Sequence, residues 1–258
     1  VATKTDATDN PVAALKRGSE TPKGSWTDTL RSYGGALLVF LVLRTFLVEA
    51  YRIPSGSMVP AMLVGDWLFV SKLRYGPHLP FTSINLPGYA EPQRNDIVVF
   101  VSPRQVDQPD DPTPTLVKRL KAMPGDTVHM RNGLFHVNGV PDPQAGEELQ
   151  NPVGDPDETS VLFEWQRQYH VTGSRFGDPP AQPTHDNWGP LRVPDGHFFM
   201  LGDNRYNSKD SRYWGPVPRA NIRGRPLFVY YSWNADDSDR VLPFLTDIRW
   251  GRIGHWYK

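Results

Sequence analysis

The sequence predicts a mainly β protein: an N-terminal transmembrane helix, then an all-β domain interrupted by an inserted sub-domain. Three observations predict it. Residues 33–43 run for eleven positions without a charge. Beyond residue 50, short apolar runs alternate with turn residues. The 258-residue chain carries 26 Pro, 22 Gly and eight Trp, a composition suited to turns and strands rather than to a helical bundle.

The helix comes first in the chain. Residues 1–32 are polar and read as a tail outside the folded body. Residues 33–50 read as the anchor, apolar all round, with Arg44 near one end able to snorkel to the interface. From Tyr33 to Val48 such a helix is about 24 Å long, short of the ~30 Å hydrocarbon core, unless it runs on towards Ala50. A buried core helix or an uncleaved signal-type segment is the competing reading. Five basic residues against four acidic ones precede the run, a weak bias that puts the tail in the cytoplasm and residues 51–258 outside.

Strands follow. Trp67–Val70 and Asp96–Val101 are compact apolar runs bounded by turn residues. Thr127–Arg131, Asn132-Gly133 and Leu134–Val137 spell a hairpin, because Asn-Gly supplies the positive φ angles of a tight primed turn. Phe198–Leu201 and Pro226–Ser232 add two more. Residues of about 141–187 differ: Pro, Asp, Glu, Gln and Gly dominate around one apolar island at 161–165, as in an inserted sub-domain or a long excursion with a weak core of its own.

Composition narrows the function. With 28 basic and 28 acidic side chains scattered along the chain, no field or stripe argues for nucleic acid. Cysteine is absent, which excludes disulfides, thiol nucleophiles and thiolate metal sites. Histidines and carboxylates show no metal-ligand spacing, so neither metal nor cofactor is expected.

Three segments carry chemistry. Ile53-Pro-Ser55-Gly-Ser57-Met58-Val-Pro60 brackets two small hydroxyls between prolines in a rigid turn. Thr115-Leu-Val-Lys118-Arg-Leu-Lys121, read as a strand, places Leu116, Lys118 and Leu120 on one face and Val117, Arg119 and Lys121 on the other. A lysine on an otherwise apolar face is either an edge residue that snorkels or a desolvated amine. Burial lowers such a pKa by up to ~3–5 units, which makes the amine a usable base. The third segment, Gly202-Asp203-Asn-Arg-Tyr-Asn-Ser208-Lys-Asp210-Ser-Arg212, alternates acid, amide and base like a hydrogen-bonded scaffold.

In this order behind an apolar segment, the three resemble the boxes of bacterial type I signal peptidases (leader peptidases), Ser/Lys-dyad membrane proteases. The resemblance covers the anchor, most of residues 36–130 and 196–225, and Arg249-Trp-Gly-Arg-Ile-Gly254. It is lost across the insertion. It implies a signal-peptidase/LexA-like β fold and a serine endopeptidase that cuts signal peptides from exported preproteins after small residues, of Ala-x-Ala type, through an acyl-enzyme. By the same resemblance Ser57 is the nucleophile and Lys118 the base. Ser55 and the Ser57 N–H form the oxyanion hole, and Ser208 hydrogen-bonds the Lys118 ammonium. Asp203, Arg119, Asp210 and Arg212 make the charged scaffold. Ile53, Met58, Leu116 and Val117 surround the site with apolar bulk, and an extended substrate pairs with residues 115–118 by strand addition. The implied setting is the bacterial cytoplasmic (inner) membrane with the catalytic domain on the periplasmic side. The implied partners are secretory preproteins and the lipid bilayer, with the enzyme a monomer.

The sequence departs from the family pattern at Arg52, at Ala61 in place of Thr, and at Tyr206 in place of the usual acid. Two rival readings stay open. A Ser-His-Asp hydrolase has seven histidines to draw on, but all lie outside the three segments, and Ser57 is in neither G-x-S-x-G nor S-x-x-K. A non-catalytic membrane-anchored binding domain explains the anchor and strands but not the three segments together. Trp250, Trp256, Tyr257 and the stretch Leu79-Pro-Phe81 are candidates to rest on the bilayer.

Overall fold

A computed structural model describes residues 26–79, 82, 84–105, 107–142 and 160–257. The chain divides into two units, residues 1–42 and 43–258.

Helix α1 (Trp26–Phe46) starts seven residues before the expected anchor and stops short of it. Asp28 in its first turn and Arg44 in its last complement the helix dipole. Lys72 Nζ donates to the carbonyls of Arg44 (3.2 Å) and Thr45 (3.4 Å), satisfying acceptors that a helix end leaves open. The helix does not run on to Ala50 because Val48–Arg52 is strand β1. No residue of α1 is buried, and the large apolar side chains at 37–43 are all exposed. Among the described residues no helix is long and apolar enough to cross a membrane. At 21 residues α1 has the length, but Asp28, Arg31 and Arg44 interrupt its apolarity. The expected tail of residues 1–32 lies outside the described residues up to position 25.

The second unit is built on two antiparallel sheets. The strands are β2 (Asp66–Ser71), β3 (Ile97–Val101), β4 (Thr115–Ala122), β5 (Thr127–Arg131), β6 (Leu134–Val137), β7 (Val140–Pro141), β8 (Trp188–Arg192), β9 (His197–Leu201), β10 (Val217–Pro218) and β11 (Ile222–Ser232). One sheet runs β1-β2-β11-β3-β4-β9-β10, the other β7-β6-β5-β8. The expected strands all form. Asn132 and Gly133 turn the β5–β6 hairpin with φ of 49° and 75°, as the Asn-Gly signal requires.

Three apolar clusters fill the unit. Ile53, Met58, Leu68 and Val99 belong to one, and Val98, Phe100, Leu120 and Met200 to the second. Trp188, Phe135 and Phe199 centre the third. The inserted stretch does not close a separate core among its described residues. Residues Ser160–Tyr169 form 3-10 turns whose Trp165 and Tyr169 pack on the third cluster, and Phe163 is buried. Residues 143–159 of the insertion lie outside the described set.

The C-terminal box folds back behind the serine turn. Arg252 donates to the fully buried Asp66 carboxylate at 2.6–3.1 Å and to the Ala61 carbonyl at 3.1 Å. Arg249 donates to the Val64 carbonyl at 2.8 Å. The segment after Ser57 is thereby clamped from residues almost two hundred positions away, and the turn rests on a fixed base. Of the candidate membrane aromatics, Tyr257 is buried in the first cluster, whereas Trp250 and Trp256 are exposed. Pro80 and Phe81 lie outside the described residues.

Candidate active site

Ser57 sits in a single 3-10 turn, Gly56–Met58, entered through extended Ser55. Met58 and Ile53 bury their side chains below and draw Ser57 inward, to 8 % exposure. Two bonds from the third segment hold the turn: Asn204 N–H donates to the Ser57 carbonyl (3.1 Å), and Asn204 Nδ2 to the Gly56 carbonyl (3.2 Å).

Lys118 lies mid-strand on β4. Its register partner is Val98, and Leu116 and Leu120 share its face. The side chain is 3 % exposed, and Nζ lies 2.6 Å from Ser57 Oγ, in hydrogen-bond contact with it. Burial pushes the Lys118 ammonium down to about 8. Asp210 works against this, Arg212 adds to it, and Asp203 opposes it more weakly. The opposite face of β4 is not simply polar. Val117 packs on the first cluster, and Lys121 is buried with its Nζ bonded to Asn95 and Asp142.

The acidic and basic residues of the third segment form one connected network. Asp210 is wholly buried. It accepts from Arg212 Nε and Nη2 (2.8 Å each), Gly202 N–H (2.9 Å) and Ser208 Oγ (2.9 Å). Burial alone disfavours its charge, but Arg212, the Gly202 N–H and Lys118 hold its carboxyl below the usual range. Arg119 makes a two-point bond to Asp203 at 2.7 and 2.5 Å and a third to the Asn95 carbonyl.

One contact differs from the expectation. The Ser208 hydroxyl donates to Asp210, and among the described residues no hydrogen bond joins it to Lys118. The one hydroxyl proton goes to a buried carboxylate, a strong charged acceptor.

A cleft open to solvent is lined in part by Ser57 and Lys118. Ile53, Leu116 and Val117 line it, but Met58 does not: its side chain packs into the first cluster beneath the turn. Leu68 and Val99 line the cleft instead, from strands whose existence was legible but whose direction towards the site was not. Ser55 is exposed at the mouth with its Oγ 3.5 Å from Ser57 Oγ. From Val101↔Thr115 to Ile97↔Arg119, β4 is paired on one side by β3, while β9 pairs only from Arg119 onwards. The second backbone edge of residues 115–118 therefore has no strand on it among the described residues.

Ser57 Oγ is bonded by Lys118 and Ser55, with no histidine in that set. Sequence reasoning also missed His185. It arrives from the inserted stretch and joins Arg212 in the network, with its other nitrogen 2.6 Å from Asp186. Tyr206, the departure from the family pattern, has its ring 5.6 Å from that of His185.

Comparison with known proteins identifies the family. Residues 26–233 match the family described as signal peptidase, peptidase S26. The chain is 35 % identical over 225 residues to signal peptidase I of Pseudomonas aeruginosa, covering 79 % of this chain and 72 % of that one. It is 36 % identical over 217 residues to the enzyme of that name from Pseudomonas fluorescens, with the same coverage. Against signal peptidase I of Aquifex aeolicus it is 33 % identical, covering 76 % of this chain and 80 % of the relative. A crystal structure of a signal peptidase I from Enterococcus faecalis matches 52 % of this chain and 96 % of its own, at 30 % identity and a TM-score of 0.32. With four-fifths of its length matched by the family model and relatives more than 30 % identical, the chain belongs to the signal peptidase family of S26 peptidases.

Proposed function

We propose that this chain is a membrane-bound serine endopeptidase that removes N-terminal signal peptides from exported preproteins, with Ser57 as nucleophile and Lys118 as general base. The observation that carries this reading is the 2.6 Å approach of Lys118 Nζ to Ser57 Oγ at a buried position. A lysine held near 8 is neutral in about one molecule in ten at pH 7, against fewer than about one in a thousand for an exposed one.

Neutral Lys118 takes the Ser57 hydroxyl proton, and Oγ attacks the scissile carbonyl carbon. The Ser57 N–H lies in the first turn of a 3-10 segment, where no intrahelical acceptor claims it. It and the Ser55 hydroxyl receive the developing oxyanion. As the tetrahedral intermediate collapses, Lys118 gives its proton to the leaving amine. The neutral lysine then deprotonates the water that hydrolyses the acyl-enzyme.

Substrate choice follows from the walls. Ile53, Leu68, Val99 and Val117 leave little room beside the reacting serine, which favours small residues of the Ala-x-Ala type. The open edge of residues 115–118 takes the substrate backbone as an added strand. The exposed apolar side chains at 37–43 bury themselves in the lipid bilayer, holding the domain where signal peptides emerge on the extracytoplasmic face of a bacterial cytoplasmic membrane. The enzyme acts as a monomer on secretory preproteins.

The test is cleavage of a preprotein carrying an Ala-x-Ala site by the parent, Ser57→Ala and Lys118→Ala, each checked for folding by thermal melting. Both variants lose cleavage. Near-normal cleavage by folded Lys118→Ala overturns the dyad.

A further inference from the structure

The scaffold behind the dyad has a member that the three sequence segments do not contain. His185 lies 26 positions before Asp210's neighbour Ser211, in the inserted stretch, and is 3 % exposed. Arg212, fully buried, directs Nη1 at His185 Nε2, while its Nη2 donates to the Arg205 and Ser208 carbonyls and to Asp210. Its Nε donates to Asp210 as well. A guanidinium has only donors, so His185 Nε2 must be the acceptor and carry no proton. The proton of the neutral ring then sits on Nδ1 and is donated to Asp186 Oδ1 at 2.6 Å. The contacts thus fix both the tautomer and the ring plane. Tyr206 and Tyr213 confine the ring, at 5.6 and 6.2 Å between centroids.

We infer that His185, oriented by Asp186, is a positioning residue: it holds Arg212 against Asp210, and so sets the charge that Lys118 feels. Every link is short and buried. Asp186 orients His185, His185 and the two carbonyls fix Arg212, Arg212 clamps Asp210, and Asp210 holds Ser208 Oγ and the Gly202 N–H beside the dyad. Asp210 favours the protonated amine and Arg212 disfavours it. The charged and titratable groups facing this relay are Asp186, Arg212, Tyr206 and Tyr213 around His185, the buried Arg205 beside Arg212 and Asp210, and Asp210, Arg212 and Asp203 around Lys118. Without the Nε2 acceptor, Arg212 loses a partner in a place that water does not reach and shifts off Asp210. The Asp210 charge is then less neutralised, and the base is harder to deprotonate.

This inference rests on the Ser57–Lys118 reading, and the experiment separates the two. His185→Leu removes the acceptor at similar bulk. His185→Gln restores an acceptor oxygen near the Nε2 position. Preprotein cleavage by the full-length chain is followed across pH for both, with thermal melting as the folding check. The expected result is a kcat about tenfold lower for His185→Leu, KM within about twofold, and the acidic limb of kcat/KM moved to higher pH, with His185→Gln close to the parent. A limb that stays put or moves down in folded His185→Leu overturns the inference, as does equal loss in both variants. Should His185→Leu not fold, Asp186→Asn replaces it, with an upward shift expected and an unmoved limb contradicting. Active Ser57→Ala or Lys118→Ala would sink the dyad itself. Inactive dyad variants beside an unchanged His185→Leu sink only this inference.

Discussion

Gly202 and Ser208 are in contact across the turn that follows β9: a methyl group on Gly202 would fall inside the van der Waals surface of Ser208 Oγ and lie 2.6 Å from the Ser57 carbonyl oxygen. One missing side chain thus lets the scaffold approach the serine turn from behind. Gly202→Ala must displace both neighbours, at a cost of about 1–3 kcal/mol for overpacking a closed site. It is expected to melt lower and to cleave at least tenfold more slowly. Ser208→Ala, which removes one bond to Asp210 and overpacks nothing, should lower activity with less loss of melting temperature. Melting curves of the two variants compare them, and a Gly202→Ala protein as stable as the parent would refute the close approach.

The Arg119–Asp203 pair joins β4 to the loop after β9, with Asp203 2 % exposed. Breaking one side of such a pair leaves the other charge stranded, at about 3–5 kcal/mol. Part of the Arg119 side chain reaches solvent, which places the cost of Asp203→Asn near the lower end of that range. Urea unfolding measures it, and a loss below about 1 kcal/mol would contradict the pairing.

Lys118 is held below its ordinary value of about 10.5. Below pH 8 both folded and unfolded chains carry its proton, and the folded state bears the full penalty of a buried charge, on the order of 3 kcal/mol. Between pH 8 and about 10.5 the unfolded chain binds the proton more tightly, so stability rises with pH until the penalty is gone. Lys118→Met is therefore expected to melt higher than the parent at pH 7, by a margin that shrinks above pH 8, while cleaving about 10²–10⁴-fold more slowly. A variant that melts lower at pH 7 would show that the amine is not paying a desolvation penalty.

The apolar side chains of α1 at 37–43 are exposed, and charge placed among them should prevent lipid contact. Leu38→Lys with Val42→Lys is expected to abolish sedimentation with liposomes and to leave cleavage of a soluble peptide unchanged. Retained sedimentation would move the lipid contact to another surface, such as that of Trp250 and Trp256.

Much of the β framework was legible because its signals are local. Asn132-Gly133 fixes its own turn, and alternation on β4 puts Lys118 among Leu116 and Leu120 without reference to any partner. Other features depend on groups far away in the chain. The end of α1 is set by the pairing of Val48–Arg52 with β2, which overrides an apolar run that reads equally well as helix. The Ser208 bond is decided by how deeply Asp210 is buried, which no local pattern reveals. His185 stands in a polar stretch with no motif, and only the fold brings it to Arg212. That Leu68 rather than Met58 lines the cleft has a similar reason, since which apolar neighbour faces it depends on how the turn rests on its base.

The central claim is that a buried, partly neutral Lys118 activates Ser57, and the pH dependence of kcat/KM for preprotein cleavage tests it most directly. The account predicts an acidic limb with an apparent pKa of about 8, belonging to Lys118 in the free enzyme. A limb near 6.5, the range of an ordinary histidine, would contradict it.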